Sequence, residues 1–299
     1  MLNFLYKTAE EMKAGGSFVS YKGHSIFFNQ IGKGKDLLLL HGYPFNSFDW
    51  NYILPEFSKE YRITYLDFLG MGFSSKPQEH VYSFAEYVDI VQTILFQLKI
   101  PSVHIFAHDL GVSVVQEMIV KEDTLGFKIE SIAFMNGGLF TDVYRPRFIQ
   151  RLLSQTPNFF GKWMSSKISR KSIESSLFSV FGPETQPEQS LLDEYWKILN
   201  EGDGKAIAYR IGRLVFEKVK YQKRWIEALH KTKIPFCYIC GPFDPNSGIH
   251  MAERFRKEYS KASVYYLSEK IGHWPQVEAP NEVIQTYKLF LNEILRKEG

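Results

Sequence analysis

Cysteine is almost missing: the 299 residues include two, Cys237 and Cys240. Two thiols cannot frame a disulfide-held fold, so a reducing compartment is expected. They sit three apart in a strand-like run, where a period of two points them to opposite faces, so no redox pair is expected either. Long apolar runs are missing too. None approaches the roughly 18 to 20 residues of a membrane span. The opening MLNFLYKTAEEMK lacks the apolar stretch of a secretion signal, and the cytoplasm is the expected location. Charge of one sign is scarce: a formal net charge of +3 gives no reason to expect nucleic acid. His24, His80, His104, His230 and His250 lack metal-ligand spacing, and Gly32-Lys33-Gly34 lacks the Gly-Lys-Ser/Thr of a phosphate loop. No metal and no cofactor is expected.

What the chain does have is bulk and rings. Its length suits one large domain, or one domain with an insertion. Aromatic residues make up 16% of it, enough to fill a core and line an apolar pocket for a small lipophilic substrate. Strand-like and helix-like runs alternate, the pattern of an α/β domain with a mostly parallel sheet. Strands are expected over 17–31 (two, around Lys22-Gly23), 37–40, 62–66, 103–107, 129–135, 234–240 and 262–267. Helices are expected over 84–98, 110–120 and 281–297. From 138 to 233 the pattern turns helical and polar. This predicts a core of 1–137 plus 234–299, interrupted by a helical cap over 138–233 that is too long for a plain connection. From Arg145 to Lys233 there are 17 Lys and Arg against 9 Asp and Glu, so the basic residues concentrate there. A solvated helical surface accounts for this; contact with an anionic membrane surface is the sharper alternative.

Four short segments at strand ends carry chemistry. Ala107-His108-Asp109-Leu110-Gly111 joins a strand to a helix. A nucleophile on such a sharp turn needs small residues two before and two after it, as in G-x-S-x-G. Ala107 and Gly111 meet that need, with Asp109 where the serine would stand. The competing expectation is a plain helix N-cap. His41-Gly42-Tyr43-Pro44 follows the strand 37–40, and the amides of Tyr43 and Leu110 are the expected oxyanion donors. Asp244 follows the strand 234–240, and His273 follows the strand 262–267. The order Asp109, Asp244, His273 is nucleophile, acid, histidine.

Together these motifs resemble the α/β-hydrolase fold family, over nearly the whole chain. Asp67-Phe68-Leu69-Gly70-Met71-Gly72-Phe73-Ser74 is similar to that family's loop after the fourth strand. Asp109 after His108 resembles the epoxide hydrolase and haloalkane dehalogenase branch, and His41-Gly42-Tyr43-Pro44 resembles its epoxide hydrolase side. Phe48-Asp49-Trp50, Leu66–Gly70, Asn136-Gly137-Gly138, Phe181-Gly182-Pro183 and Arg224-Trp225 resemble the mesoderm-specific transcript homologue group. The resemblance implies Asp109, Asp244 and His273 as a catalytic set, epoxide hydrolysis as the reaction, and cap tyrosines that polarise the ring oxygen. Tyr209 resembles the second such tyrosine. None lies between Tyr144 and Tyr195, where the first belongs, and Tyr144, Tyr195 and Tyr221 are candidates. Trp50, Phe45, His108 and Tyr144 join Tyr209 as expected substrate contacts. Haloalkane dehalogenation is an alternative, but Leu110 and Tyr43 occupy positions where that branch has halide-binding Trp and Asn. A binding or signalling protein on the same scaffold is the other.

Overall fold

The computed structural model describes residues 4–145, 161, 163, 165 and 167–298. Eight strands form one sheet in the order β1-β2-β4-β3-β5-β6-β7-β8. They are β1 Ser17–Tyr21, β2 His24–Gly32, β3 Lys35–Leu40, β4 Tyr61–Leu66, β5 Ser102–His108, β6 Lys128–Met135, β7 Phe236–Cys240 and β8 Ser263–Tyr266. Only β2 runs antiparallel to its neighbours; from β4 through β8 the pairing is parallel. The β1–β2 hairpin turns at Lys22 and Gly23, both with positive φ (49° and 82°), as a two-residue turn matched to strand twist requires.

The central strands read as unbroken apolar runs because both their faces are covered. Leu37, Leu38, Leu39 and Leu40 of β3 are fully buried, alternating between the two apolar layers that sandwich the sheet. Cys237 and Cys240 are free, buried, and in different layers. The helices packing on the sheet include α1 Ala9–Ala14, α2 Leu54–Phe57, α3 Phe84–Gln97 and α4 Leu110–Val120. The start of α3 is fixed by Ser83, whose hydroxyl accepts from the Glu86 amide. Every residue of α4 from Leu110 to Ile119 is buried, so this helix has no solvent face to show a period of 3.6.

Between β6 and β7 lie α5 Arg170–Phe178, α6 Gln189–Asn200, α7 Gly204–Gly212 and α8 Leu214–Lys231. The chain then closes with α9 Ile249–Glu258, α10 Pro275–Glu278 and α11 Pro280–Glu298. Neither α1 nor α9 is among the sequence expectations. The strand expected from Ile234 begins at Phe236, because Pro235 has no N–H to give a neighbour. From β3 the chain runs outward to β4, whereas from β5 it continues the other way. The carboxyl ends of β3 and β5 therefore part, and the crevice between them is where open α/β sheets bind ligands. No helix among the described residues is long and apolar enough to cross a membrane.

Candidate active site

A single residue, Asp109, separates β5 from α4, at φ 47° and ψ −107°. A non-glycine residue in that region costs on the order of 1–3 kcal/mol and persists only where its surroundings enforce it. The enforcement is visible on both sides. A methyl group at Gly111 would lie 2.5 Å from the Leu40 carbonyl oxygen, and one at Gly42 would lie 2.7 Å from Cβ of Asp109. The two loops are also stitched together by the Gly111 amide, which donates to the His41 carbonyl at 3.1 Å.

Asp109 occupies the N-cap position of α4 yet makes no side-chain cap bond. Of the two expectations, nucleophile or plain N-cap, the missing cap bond removes the support for the cap. Instead Oδ1 accepts the Tyr43 amide at 2.9 Å, and Oδ2 lies 3.6 Å from Nε2 of His273. The two oxygens thus have different surroundings. The Leu110 amide is the first of its helix and so has no intrahelical acceptor.

His273 donates from Nδ1 to Oδ2 of Asp244 at 2.7 Å. That oxygen also accepts Nδ2 of Asn136 at 2.9 Å and the Ser247 hydroxyl at 2.8 Å, while Oδ1 accepts the Asn246 amide at 2.8 Å. Asp244 is therefore a saturated acceptor; burial raises its pKa, but His273 and these donors outweigh that and leave it depressed. For His273, burial disfavours the charged ring. Asp244 and Asp109 overcome it and push the imidazole up to about 10. Asp109 likewise meets a burial penalty that the His273 charge overrides, holding it far below the usual carboxylate range. Both carboxylates therefore favour the charged form of the imidazole that lies between them.

The remaining expected contacts divide. Phe45 lines an apolar cavity of about 390 Å³ that reaches Tyr43 and His273 and is walled by Ile173, Leu177 and Ala208 of the helices between β6 and β7. Tyr144 feels both Asp109 and Asp244; burial first, then these charges, raises its pKa. Trp50 and His108 require correction. Trp50 is fully buried and packs on Phe106 and His108 beneath the loop, away from the cavity. His108 has both nitrogens engaged: Nε2 donates to the His273 carbonyl at 2.7 Å, and Nδ1 accepts Nε2 of Gln276 at 3.2 Å. Burial pulls its pKa down to about 4, so it is a neutral strut that sets the height of His273. Tyr209 is buried with its ring between the Arg210 and Arg213 guanidiniums, and it does not line the cavity. Tyr195 stacks flat on Phe45 at 4.0 Å, and Tyr221 lies under Arg224.

Three residues of the site escaped the sequence reading as individuals. Asn136, at φ 37°, accepts the Gly241 amide at 2.7 Å on Oδ1 while its Nδ2 reaches Asp244 and the carbonyls of Gly241 and Gly272. It staples the ends of β6 and β7 to the histidine loop. Glu278 accepts the amides of Gly272, Trp274 and Gly182 and the hydroxyl of Thr185, all within 2.9 Å. The His273 amide itself donates to the Val180 carbonyl at 2.9 Å. The third is Lys218, buried near Asp109 on a helix whose sequence, EKVKYQKRW, looks like solvated surface. Positive φ favours Asn at 136 and could have flagged that residue; nothing in the sequence distinguishes Lys218.

Residues 36–280 match the alpha/beta hydrolase fold family model. The mesoderm-specific transcript homolog protein of Bos taurus is 34% identical, covering 94% of this chain and 87% of its own length. Epoxide hydrolase 4 of Homo sapiens is 23% identical, covering 94% of this chain and 80% of its own. Among solved structures, an alpha/beta hydrolase fold protein from Burkholderia ambifaria superposes with a TM-score of 0.77 at 18% identity, covering 96% of this chain and 99% of its own. With the elbow at Asp109, the strand order and these likenesses in hand, the chain belongs to the α/β-hydrolase fold family and is similar within it to the mesoderm-specific transcript homologues.

Proposed function

We propose that this hydrolase opens epoxides through an ester formed on Asp109, with the helices between β6 and β7 serving as a cap over the site. The observation that carries the reading is the asymmetry of the Asp109 carboxylate: Oδ1 is held by the Tyr43 amide, while Oδ2 faces His273. A nucleophilic carboxylate needs one oxygen free to attack and the other already seated where oxyanion charge will later develop.

In the first step Oδ2 attacks a ring carbon, the carbon–oxygen bond breaks, and the ring oxygen leaves with the electron pair. Asp109 loses its charge on becoming an ester. His273 then loses one of the two carboxylates that hold its pKa up. Its proton is released and ends on the ring oxygen. The neutral imidazole, still fixed in its tautomer by Asp244, takes a proton from water. Hydroxide adds to Cγ of Asp109, and the charge on Oδ1 is met by the amides of Tyr43 and Leu110, each worth about 3 kcal/mol. Collapse expels the product alkoxide, which takes the proton from His273. The carboxylic acid left on Asp109 reprotonates the imidazole, restoring the ion pair. The net reaction is epoxide plus water to diol. The chemistry explains why aspartate suits this position: its ester is cleaved at the acyl carbon, whereas serine would be left as an ether.

The name of epoxide hydrolase 4 supports this choice of substrate class. So does the apolar lining of the cavity beside His273. The test is His273→Gln with styrene oxide, followed by intact mass. The expected result is a stable adduct of one substrate mass on Asp109, and in the unmodified chain heavy-oxygen label from water in the Asp109 carboxylate. Absence of both over a varied epoxide panel overturns the proposal.

A further inference from the structure

Most polar atoms in the wall of the cavity beside His273 are already taken. The Tyr43 hydroxyl donates to the Ala208 carbonyl at 3.1 Å, the Ser172 hydroxyl to the Ser169 carbonyl at 2.7 Å, and the Trp274 indole to Oδ2 of Asp49 at 3.2 Å. His273 is engaged by Asp244 and Asp109. Asn246 is different. It lines the same cavity and is 4% exposed, but its side-chain amide has no hydrogen-bond partner among the described residues. Nor is that amide one of the polar groups sealed inside the protein without a partner, because it borders the open chamber.

The backbone on either side of this amide is fully occupied. The Asn246 N–H donates to Oδ1 of Asp244 at 2.8 Å, and the Asn246 carbonyl accepts the Arg145 amide and Nε2 of His250, each at 3.1 Å. An asparagine after a strand end ordinarily turns its side chain onto neighbouring backbone, which is why turns favour it. Here the local backbone groups have other partners, and the side-chain amide is left to the chamber. Burying an amide without a partner gives up its hydration for no return. A group of that kind beside a cavity is accounted for by what enters the cavity. The amide offers one acceptor oxygen and two N–H donors. A neutral hydroxyl both donates and accepts, so it matches either end. A carboxylate only accepts, and it would bring a further negative charge to the chamber beside Asp109.

We propose that Asn246 is a substrate-binding residue, which selects lipophilic epoxides that carry a hydroxyl group by exchanging hydrogen bonds with that hydroxyl. The inference rests on the chamber assigned to the substrate above, and not on the ester at Asp109. Asn246 takes no part in making or breaking bonds. Its work is to choose among apolar substrates of similar shape and to hold the chosen one beside His273.

The test compares two inert ligands of nearly the same shape, 3-phenylpropan-1-ol and butylbenzene, which differ by hydroxyl against methyl. Both are titrated into the full chain and followed by tryptophan fluorescence, since Trp274 lines the chamber. Asn246→Leu should raise the ratio of the alcohol Kd to the hydrocarbon Kd by roughly 10-fold, the scale of one neutral hydrogen bond. Asn246→Ala, which asks for no extra room, should raise it similarly. In a His273→Gln background, the rate of Asp109 alkylation by trans-3-phenylglycidol relative to trans-β-methylstyrene oxide should fall by about the same factor, read by intact mass. An unchanged Kd ratio in both variants overturns the proposal, as does equal weakening of the two ligands, which would make Asn246 a packing residue. Failure of either ligand to bind the parent chain overturns it as well. A shifted Kd ratio with no adduct from either epoxide supports the Asn246 contact and overturns the ester reading.

Discussion

Asp244, at the end of β7, accepts from four donors: His273, Asn136, Ser247 and the Asn246 amide. Asp67, at the end of β4, does the same with Ser47 (amide and hydroxyl), Asn46 and the Phe73 amide. On the opposite side Lys218 meets a tyrosine face and Gly138. Asp244 and Asp67 are thus saturated and held in one position, whereas Asp109 accepts one amide and keeps its second oxygen 3.6 Å from His273. On α8 the Lys218 ammonium lies over the Tyr144 ring instead of in a hydrogen-bonded cradle of that kind. The contrast is between carboxylates whose position is fixed by a full set of hydrogen bonds and an ammonium that rests on a ring face.

Three measurements break or sharpen that comparison. The largest effect is expected from pH. The His273 pKa is raised from its ordinary 6.5 to about 10 in the fold. Its contribution to stability is therefore complete below pH 6.5, and is lost as pH rises through 10. Over that window unfolding free energy should fall by about 5 kcal/mol, followed by urea titration at several pH values. His273→Gln should flatten the slope; an unchanged slope would mean that the imidazolium is not held by the two carboxylates.

Next is Asn136→Ala, which leaves the Asp244 carboxylate and the Gly241 amide each short of a buried partner. The expected cost is about 3 kcal/mol, from unsatisfied buried groups at about 1–3 kcal/mol each. A variant within 0.5 kcal/mol or so of the parent, the range of surface substitutions, would show that the strand ends do not need the staple. The smallest effect belongs to the other side. Lys218→Met should change stability by less than about 1 kcal/mol, or raise it, because an apolar chain of similar length replaces a buried ion with no close counter-charge. A large loss would put Lys218 among the fixed, saturated groups and end the contrast.

The legible part of the fold was the part made by local chemistry. The apolar run Leu37–Leu40, the Ser83 cap and the turn at Lys22-Gly23 each carry their own cause, and all three appear as strand, helix start and hairpin. The order of Asp109, Asp244 and His273 was readable because the fold delivers strand ends to one edge whatever lies between. Individual contacts were not readable in that way. Trp50 and His108 have the composition of a pocket lining, but the parity of β5 and the depth of the loop decide which face they occupy. Lys218 is one of several lysines on α8, and the Tyr144 ring and Gly138 beside it set it apart from its solvated neighbours.

Glu278 gives the histidine loop a dependence on distant chain. Its carboxylate joins Gly272 and Trp274 to Gly182 and Thr185, and the Val180 carbonyl takes the His273 amide. A chimaera that grafts another relative's segment between β6 and β7 would carry its own stretch in place of 180–185. Such a graft inherits the imidazole's footing along with part of the cavity wall, so the lining and the histidine's support travel as a single transplantable unit.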